Sequence, residues 1–459
     1  MLLAEATLGR VLDELRAGGG FAEVFAQSSW FTHIALEDRN VITANRGFFA
    51  GAGLRVIRDG ACRFACVSSL DDTALLEAAR GMADVGSGGG EAVSSVFRPS
   101  APSNPLAPAE SPSEFPLLGK TSLLLSAQEA AFSEDGRVSA YSGLCKDATS
   151  EILVANSEGV LASETRCHTT FYQQVTVREG PKERMGTEVL TAELASDLSV
   201  TKRHEDDARE AARSALAHLD ARSSPSGVLT VLFGPGAAGP LLHEAVGHAF
   251  EGDFVLQGRS PYGRRLGQRI AEPCLTLEEG VPAQGRQRIP ECDDEGTPAG
   301  RALLVEEGVL KGFLTDRATS AALGLPLTGH ASRESYRFPP MPRTRRLVVR
   351  PGPAEPGELI RSLGFGLYVL RTSGGPVDAP GGEFSVQVAR GFVVREGRLA
   401  EPIFGATLVG TGPDLLASVD GVANDPGASS GICVKEGQTV SVSESVPTLR
   451  VSKLTVRGC

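Results

Sequence analysis

Cysteine and large aromatic side chains are scarce in this 459-residue chain: eight Cys, one Trp and five Tyr, with aromatics at 5% overall. The Cys are irregularly spaced and contain no Cys-x-x-Cys pair, which excludes the dense disulfide framework of a small secreted protein. Most of them read as small buried hydrophobes. Long apolar runs are also missing. No stretch approaches the roughly 18 consecutive apolar residues that a membrane-spanning helix needs. Positive charge is in deficit, with 45 basic against 56 acidic residues and a net charge of -11. That field opposes counterion-driven binding to nucleic acid, so neither a nucleic-acid nor a membrane partner is expected. The opening segment has no basic stretch, and Glu5 interrupts its apolar start, so it does not read as a signal peptide and a cytoplasmic location is expected.

What is present is ordinary globular material, 41% hydrophobic and 22% charged, enough for a sizeable core. The length suggests two substantial domains. The first, residues 1–220, mixes helix and strand, with helices in 7–17, 70–85, 122–134 and 204–220 and alternating strands between them. Within it, residues 86–118 are rich in Gly, Ser and Pro and read as a surface excursion. The segment 221–227 is the internal boundary. Residues 226–459 turn strand-rich with Gly-containing hairpin turns. The fold class expected is α+β, the carboxy-terminal domain dominated by a mixed or antiparallel sheet with a helix packed on it.

The chemically informative segment is Val228–Phe254. A short apolar strand, 228–233, is turned by Gly234-Pro235-Gly236, and Pro240 suits the first turn of a helix. Leu241, Leu242, Ala245, Val246, Ala249 and Phe250 form its apolar stripe. Off that stripe lie His243, Glu244 and His248, a His-Glu-x-x-x-His. In the shorter His-Glu-x-x-His of zinc proteases, two His one turn apart chelate the metal and the Glu deprotonates its water. Five residues of ideal helix turn through roughly 500° and leave the two His about 140° apart. A shared metal therefore requires an irregularity, and Gly247 is the expected place for a widened turn or an early helix end. By itself the motif is equally compatible with exposed His and Glu on an ordinary amphipathic helix.

Further segments occur in a telling order: HEAVGHAFEGDF, DDEGTPAGRALLVEEGVLKGFLTD, RESYRFPPMPR, GGPVD, GICVKEGQ and PTLRVSKLTVRG. With them the chain resembles the TldD/PmbA peptidase family over essentially all of residues 226–459, and more weakly in its amino-terminal half. Catalytic TldD-type members carry His-Glu-x-x-x-His, and their metal-free PmbA/TldE-type partners lack it. The resemblance implies a zinc ion held by His243, His248 and Cys433, with Glu244 as general base. Two imidazoles and one thiolate leave a fourth position for water, as in a catalytic zinc site. It further implies cleavage of unfolded or extended peptides, which could add as a strand to a sheet edge near the metal. A homodimer, or a heterodimer with a PmbA/TldE-type subunit, is implied as well. Two other roles are compatible with the family: a regulatory protein-binding subunit of the gyrase-modulator type, and a specialised protease of natural-product peptide maturation. One departure stands out. Where the family reads Cys-Gly-Lys, this chain has Cys433-Val434-Lys435, and a Gly using positive φ could not be replaced cheaply by Val.

Other residues compete with these for a role. His330 is the rival zinc ligand, read as a polar lining or a satisfied loop His. Asp293, Asp294 and Glu295 read as a solvated turn, or alternatively as partners of a zinc-bound His. Arg333, Tyr336 and Arg343 fall in a Pro-interrupted stretch that the resemblance places near the cleft, where they could bind a peptide backbone or its carboxylate. His204 and His218 are expected in solvent, and Cys62 and Cys66 in the core. Gly51-x-Gly53 precedes no phosphate-binding helix, and no nucleotide site is expected.

Overall fold

Alternating apolar positions in the first half build strands much longer than the usual five or six residues. The computed structural model describes residues 2–83, 98–99, 115–192, 198, 200–280 and 292–458. The short alternating stretches around 21–27 and 32–38 are one continuous strand, Phe21–Glu37. It is paired along its length with Asn40–Arg58 on one side and Val138–Asn156 on the other. Pairing on both edges satisfies the backbone of polar Gln27, Ser28 and Ser29, so the strand continues where side-chain pattern alone would end it. Likewise Val160–Glu179 pairs antiparallel with Val138–Asn156 across the turn at 157–159.

These elements form one seven-stranded sheet, in the order Ala61–Val67, Asn40–Arg58, Phe21–Glu37, Val138–Asn156, Val160–Glu179, Arg98–Pro99, with Lys182–Ala192 also paired to Val160–Glu179. Two helix pairs cover it. Helices Glu5–Leu15 and Asp72–Ala83 bury Leu8, Val11, Leu12, Leu75 and Ala79 against the sheet. Asp71 starts the second of these, its Oδ1 accepting from Thr73 N at 2.9 Å. Helices Leu117–Phe132 and Arg203–Asp220 bury Leu124, Ala127, Ala211 and Ala215 elsewhere on it. Apart from 98–99 and 115–118, the Gly/Ser/Pro-rich segment 86–118 lies outside the described residues. Among the described residues no helix is long and apolar enough to cross a membrane.

At 222–223 the chain crosses to the second half, where Arg222–Ser223 runs parallel to Ile403–Phe404. Two mixed sheets follow. One has six strands, ending in Arg346–Val349, Gln438–Val446 and Gly427–Lys435, the last at its edge. The other has eight and includes Gly227–Phe233, Phe365–Thr372, Glu383–Arg395 and Leu449–Arg457. Residues of both sheets share one apolar core with Leu241, Leu242, Ala245, Val246, Ala249 and Phe250. The helix of the His-Glu motif is thus packed among strands from two directions, not laid on one surface. The fold is α+β.

The two halves are joined by buried charge. Arg55 donates to Glu23 at 2.7 Å and also to Glu295, while Arg333 donates to Glu23, and these side chains are at most 1% exposed. Arg166 reaches Asp294 at 2.6 Å, and Asn156 donates to the carbonyl of Glu295 at 3.2 Å. Asp293, Asp294 and Glu295 are therefore not a solvated turn. They are buried because the amino-terminal sheet closes over them, and their oxygens are used by arginines and by backbone N–H groups. Three smaller expectations are also overturned. His204 is fully buried, its Nε2 at 2.9 Å from Ser126 Oγ, because the helix Leu117–Phe132 covers it. His218 is half-buried with its ring edge-on to Phe404. Cys62 and Cys66 do face the same side of their strand, but Ala61–Val67 is the outermost strand and both are exposed.

Candidate metal centre

The strand Gly227–Phe233 ends at Gly234, and Gly236 then turns the chain with φ at +78°. There a Cβ would lie 2.9 Å from the carbonyl of Ala428, so Gly is required by both angle and space. The helix Gly239–Ala245 begins immediately, with Pro240 in its first turn and Leu241, Leu242 and Ala245 in the core. It stops after two turns. Val246 takes φ -127° and ψ -50°, and a 3-10 turn, Gly247–Phe250, carries the chain on. This break fulfils the expectation that two His five apart need an irregular helix. The distorted angles sit on Val246, and the constraint at Gly247 is one of space: a Cβ there would be 3.1 Å from Thr344 Cγ2, a tight contact.

The break turns the two imidazoles onto one point. Their centroids are 5.0 Å apart and their planes cross at 85°. Cys433 approaches from the edge strand Gly427–Lys435, its Sγ 3.1 Å from His248 Nε2. Glu244 completes the group, with carboxylate oxygens 3.5 Å from His248 Nε2 and 3.9 Å from His243 Nε2. One donor atom from each of the four lies within 4.8 Å of all the others. His243, His248 and Cys433 are 1% exposed, whereas the Glu244 side chain is 36% exposed.

Residues of the surrounding layer hold this arrangement. Glu251 Oε2 is 3.0 Å from His248 Nδ1, and its other oxygen accepts from Thr344 N at 2.8 Å. Lys435, two residues beyond Cys433, donates to Glu251 at 2.7 Å and to Asp253 and the Pro342 carbonyl. Burial opposes the charge of Glu251, but His248 and Lys435 overcome it and hold its pKa near 2. Thr344 passes the support on by donating to buried Glu279 at 2.7 Å. On the other side, Glu444 lies 3.5 Å from His243 Nδ1 and accepts from Ser429 at 2.7 Å. Burial raises the Glu444 carboxyl to about 7 and lowers His243 to about 3. Both nitrogens of His243 are buried without a protein hydrogen bond. A neutral imidazole in that condition fits a metal ligand: an uncharged nitrogen lone pair turned toward a thiol sulfur and a second imidazole.

Glu251, Lys435 and Glu444 were not singled out from the sequence. Glu251 had a signal, standing three residues after His248 where one turn of helix makes them neighbours. Glu444 had none, since only the pairing of Ser429 with Glu444 across the hairpin brings it here.

The other candidates lie elsewhere. His330 is buried in a cavity lined also by Arg166, Glu279, Asp293, Arg343 and Arg345, outside the four-residue group. Asp293, Asp294 and Glu295 spend their oxygens on Arg55, Arg166 and backbone N–H groups instead of on either metal-facing His. Arg333 and Tyr336 are buried, Arg333 over the Phe25 ring and Tyr336 bonded to Ser68, so neither side chain is presented to a peptide. Arg343 is fully buried and donates to the carbonyls of Cys433 at 3.1 Å and Gln438 at 3.3 Å. It braces the hairpin of the thiol and lines the cavity of His330. Val434 lies in regular strand, 65% exposed and with φ outside the positive region, so a β-branched residue sits there without strain.

Comparison with known proteins agrees with this layout. The chain matches PmbA/TldA metallopeptidase domain 1 over residues 22–85, the central domain over 110–219 and the C-terminal domain over 226–458. A "Metalloprotease TldD homolog" of Haemophilus influenzae is 29% identical over 458 residues, covering 95% of this chain and 93% of its own. A "Zinc metalloprotease TldD homolog" of Saccharolobus solfataricus is 34% identical over 242 residues, 52% of this chain and 54% of its own. Among solved structures, TldE from Thermococcus kodakarensis superposes with a TM-score of 0.74 at 19% identity, over 95% of this chain and 97% of that one, a likeness of fold. With matched segments reaching from residue 22 to 458, this chain belongs to the PmbA/TldD family of metallopeptidases.

Proposed function

We propose that the chain is a zinc-dependent peptidase of TldD type that hydrolyses extended or unfolded peptides. The observation that carries this reading is the buried His243, His248 and Cys433 with the half-open Glu244 at their rim. The two imidazoles and the thiolate would hold the ion. Zinc supplies, when bound, polarisation of the scissile carbonyl and acidification of its water.

The protein's own part is proton handling and orientation. Burial works against the charge of Glu244, yet His248 beside it keeps its carboxyl below the usual range, so it is an anion at neutral pH. Its exposure lets it meet a water and a substrate that the three buried residues cannot reach. It takes the proton of the attacking water and then delivers it to the departing amine. Glu251 receives the Nδ1–H of His248, which fixes that ring with Nε2 toward Cys433. The edge strand beside the site offers main-chain pairing, a mode of recognition that suits flexible peptides with little regard to sequence.

A purely regulatory protein-binding role, as in gyrase modulation, needs no half-exposed Glu beside three buried ligand groups. We further propose assembly as a dimer, with itself or with a PmbA/TldE-type subunit, the fold likeness to TldE being the support. The test is metal analysis of the purified protein with digestion of a disordered peptide, alone and with candidate partners, beside Glu244→Gln. Gln keeps the shape but cannot accept a proton, so zinc should stay bound while cleavage falls about 10²–10⁴-fold. A loss under about tenfold removes Glu244 from that role. Absence of bound zinc, or no cleavage by the zinc-loaded protein under any pairing, ends the peptidase reading.

A further inference from the structure

The strand that carries Cys433 has one edge bonded to Gln438–Val446, and among the described residues no strand pairs with its other edge. Its register fixes which groups face outward. Glu436 and Gly437, with φ of 49° and 75°, form a two-residue turn, so Lys435 and Gln438 are the hydrogen-bonded closing pair. Hydrogen-bonded pairs alternate along an antiparallel ladder, so Cys433 with Val440 is the next one. The N–H and C=O of Cys433 therefore point inward, and those of Ile432 and Val434 point to the open edge. Side chains alternate in the other sense. Cys433 and Lys435 turn to the metal face and are buried, while Ile432 and Val434 turn to the opposite face at 62% and 65% exposure. Two β-branched apolar residues on an open edge are what soluble proteins normally avoid or blunt with Lys or Pro. Here they bracket the thiol.

Resting on the peptidase reading above, we infer that Ile432 and Val434 select the substrate: the enzyme prefers peptides with apolar, extended-chain residues at the two positions bracketing the residue that faces the metal. A peptide added along this edge bonds to the main chain of Ile432 and Val434. Its side chain opposite Cys433 points to the metal face. The side chains on either side of that one stand directly beside Ile432 and Val434, at the spacing where cross-strand apolar and aromatic pairs stabilise a sheet. Val, Ile, Phe or Tyr at those two positions gains contact, and Asp, Lys or Gly does not. The strand thereby adds a two-position apolar preference to an otherwise main-chain mode of recognition.

The experiment digests a pool of disordered peptides with the zinc-loaded protein and reads every cut site by mass spectrometry. Ile432→Thr and Val434→Thr keep β-branching and remove the apolar surface. Wild type should show apolar residues enriched by about 1.5- to 5-fold at two positions two residues apart. Each variant should lose the enrichment at one of the two, with zinc content unchanged. The ratio is internal to each digest, so it does not depend on overall rate. Cleavage with no such enrichment, or with a profile that neither variant alters, overturns this inference and leaves the peptidase reading standing. No cleavage by wild type overturns both. A change of sedimenting mass in place of a change of profile assigns the edge to a contact between chains and also overturns the inference.

Discussion

His243 is a neutral imidazole held in the interior with neither nitrogen bonded to protein. Such a group costs stability unless something else takes up its lone pair. His248 differs, since Glu251 takes its Nδ1 and Cys433 Sγ lies 3.1 Å from its Nε2. Replacing Cys433 by Ala removes the sulfur donor and leaves two nitrogens. Zinc affinity, measured by chelator competition, should fall by orders of magnitude, and an unchanged affinity would move the third ligand elsewhere. Glu251→Gln leaves the metal-facing atoms in place but weakens the hold on His248, so affinity should drop about 10–100-fold. His330 supplies a different kind of test. Burial holds its pKa near 4, below the unfolded value of about 6.5. The unfolded chain therefore binds more protons between those values, and folding stability falls as pH drops from about 6.5 to 4. The effect is flat below that window and at most about 3 kcal/mol. His330→Gln should remove this component: the stability gap between wild type and variant, from denaturant titrations, should vary across the window and be constant above pH 7. A constant gap throughout means that His330 is not buried neutral.

At the scale of elements, the decisive feature is the break between Ala245 and Gly247. The two turns before it are anchored by Leu241, Leu242 and Ala245, all within the core. The 3-10 turn after it is pressed against Thr344, whose backbone N–H and hydroxyl tie Glu251 and Glu279 together. Gly247→Val puts a branched side chain into the 3.1 Å gap before Thr344 Cγ2. Relief requires displacing Thr344, and with it the carboxylate that orients His248. Zinc affinity should suffer more than melting temperature. A variant with lowered melting temperature and intact zinc affinity would contradict this coupling. The motif itself, the stop of the helix near Gly247 and the anchoring stripe were all legible from residue spacing. The role of Thr344 was not, because it is brought to Gly247 from nearly 100 residues away.

At the scale of the whole molecule, the amino-terminal sheet and the second half meet over Glu23, Arg55, Glu295 and Arg333. Each of these side chains is at most 1% exposed. Breaking one partner of such a buried group leaves uncompensated charge and costs about 3–5 kcal/mol. Arg333→Met should therefore lower the unfolding free energy by that order while the zinc content of the folded protein stays unchanged. If Arg333 instead bound substrate directly, the variant would keep its stability and show a raised KM, so the two readouts separate the roles.

The sequence by itself determined the α+β class, the strand-rich second half and the residues His243, Glu244 and His248. Helical period, turn residues and ligand chemistry are local properties, written in neighbouring positions. It also carried the family resemblance that pointed to Cys433. Tertiary structure alone decided which acidic residues serve as supports. Glu444 and Lys435 are ordinary charged residues until the hairpin 427–446 is folded beside the broken helix. It likewise decided that Arg333, Tyr336 and Arg343 are internal braces and that Asp293–Glu295 are buried. Burial of a charge depends on a partner supplied by a distant segment, and no local pattern records where that segment will pack. The same reason governs the open edge beside Cys433: a strand shows its alternation in sequence, but whether its outer edge is paired is settled only when the sheet is assembled.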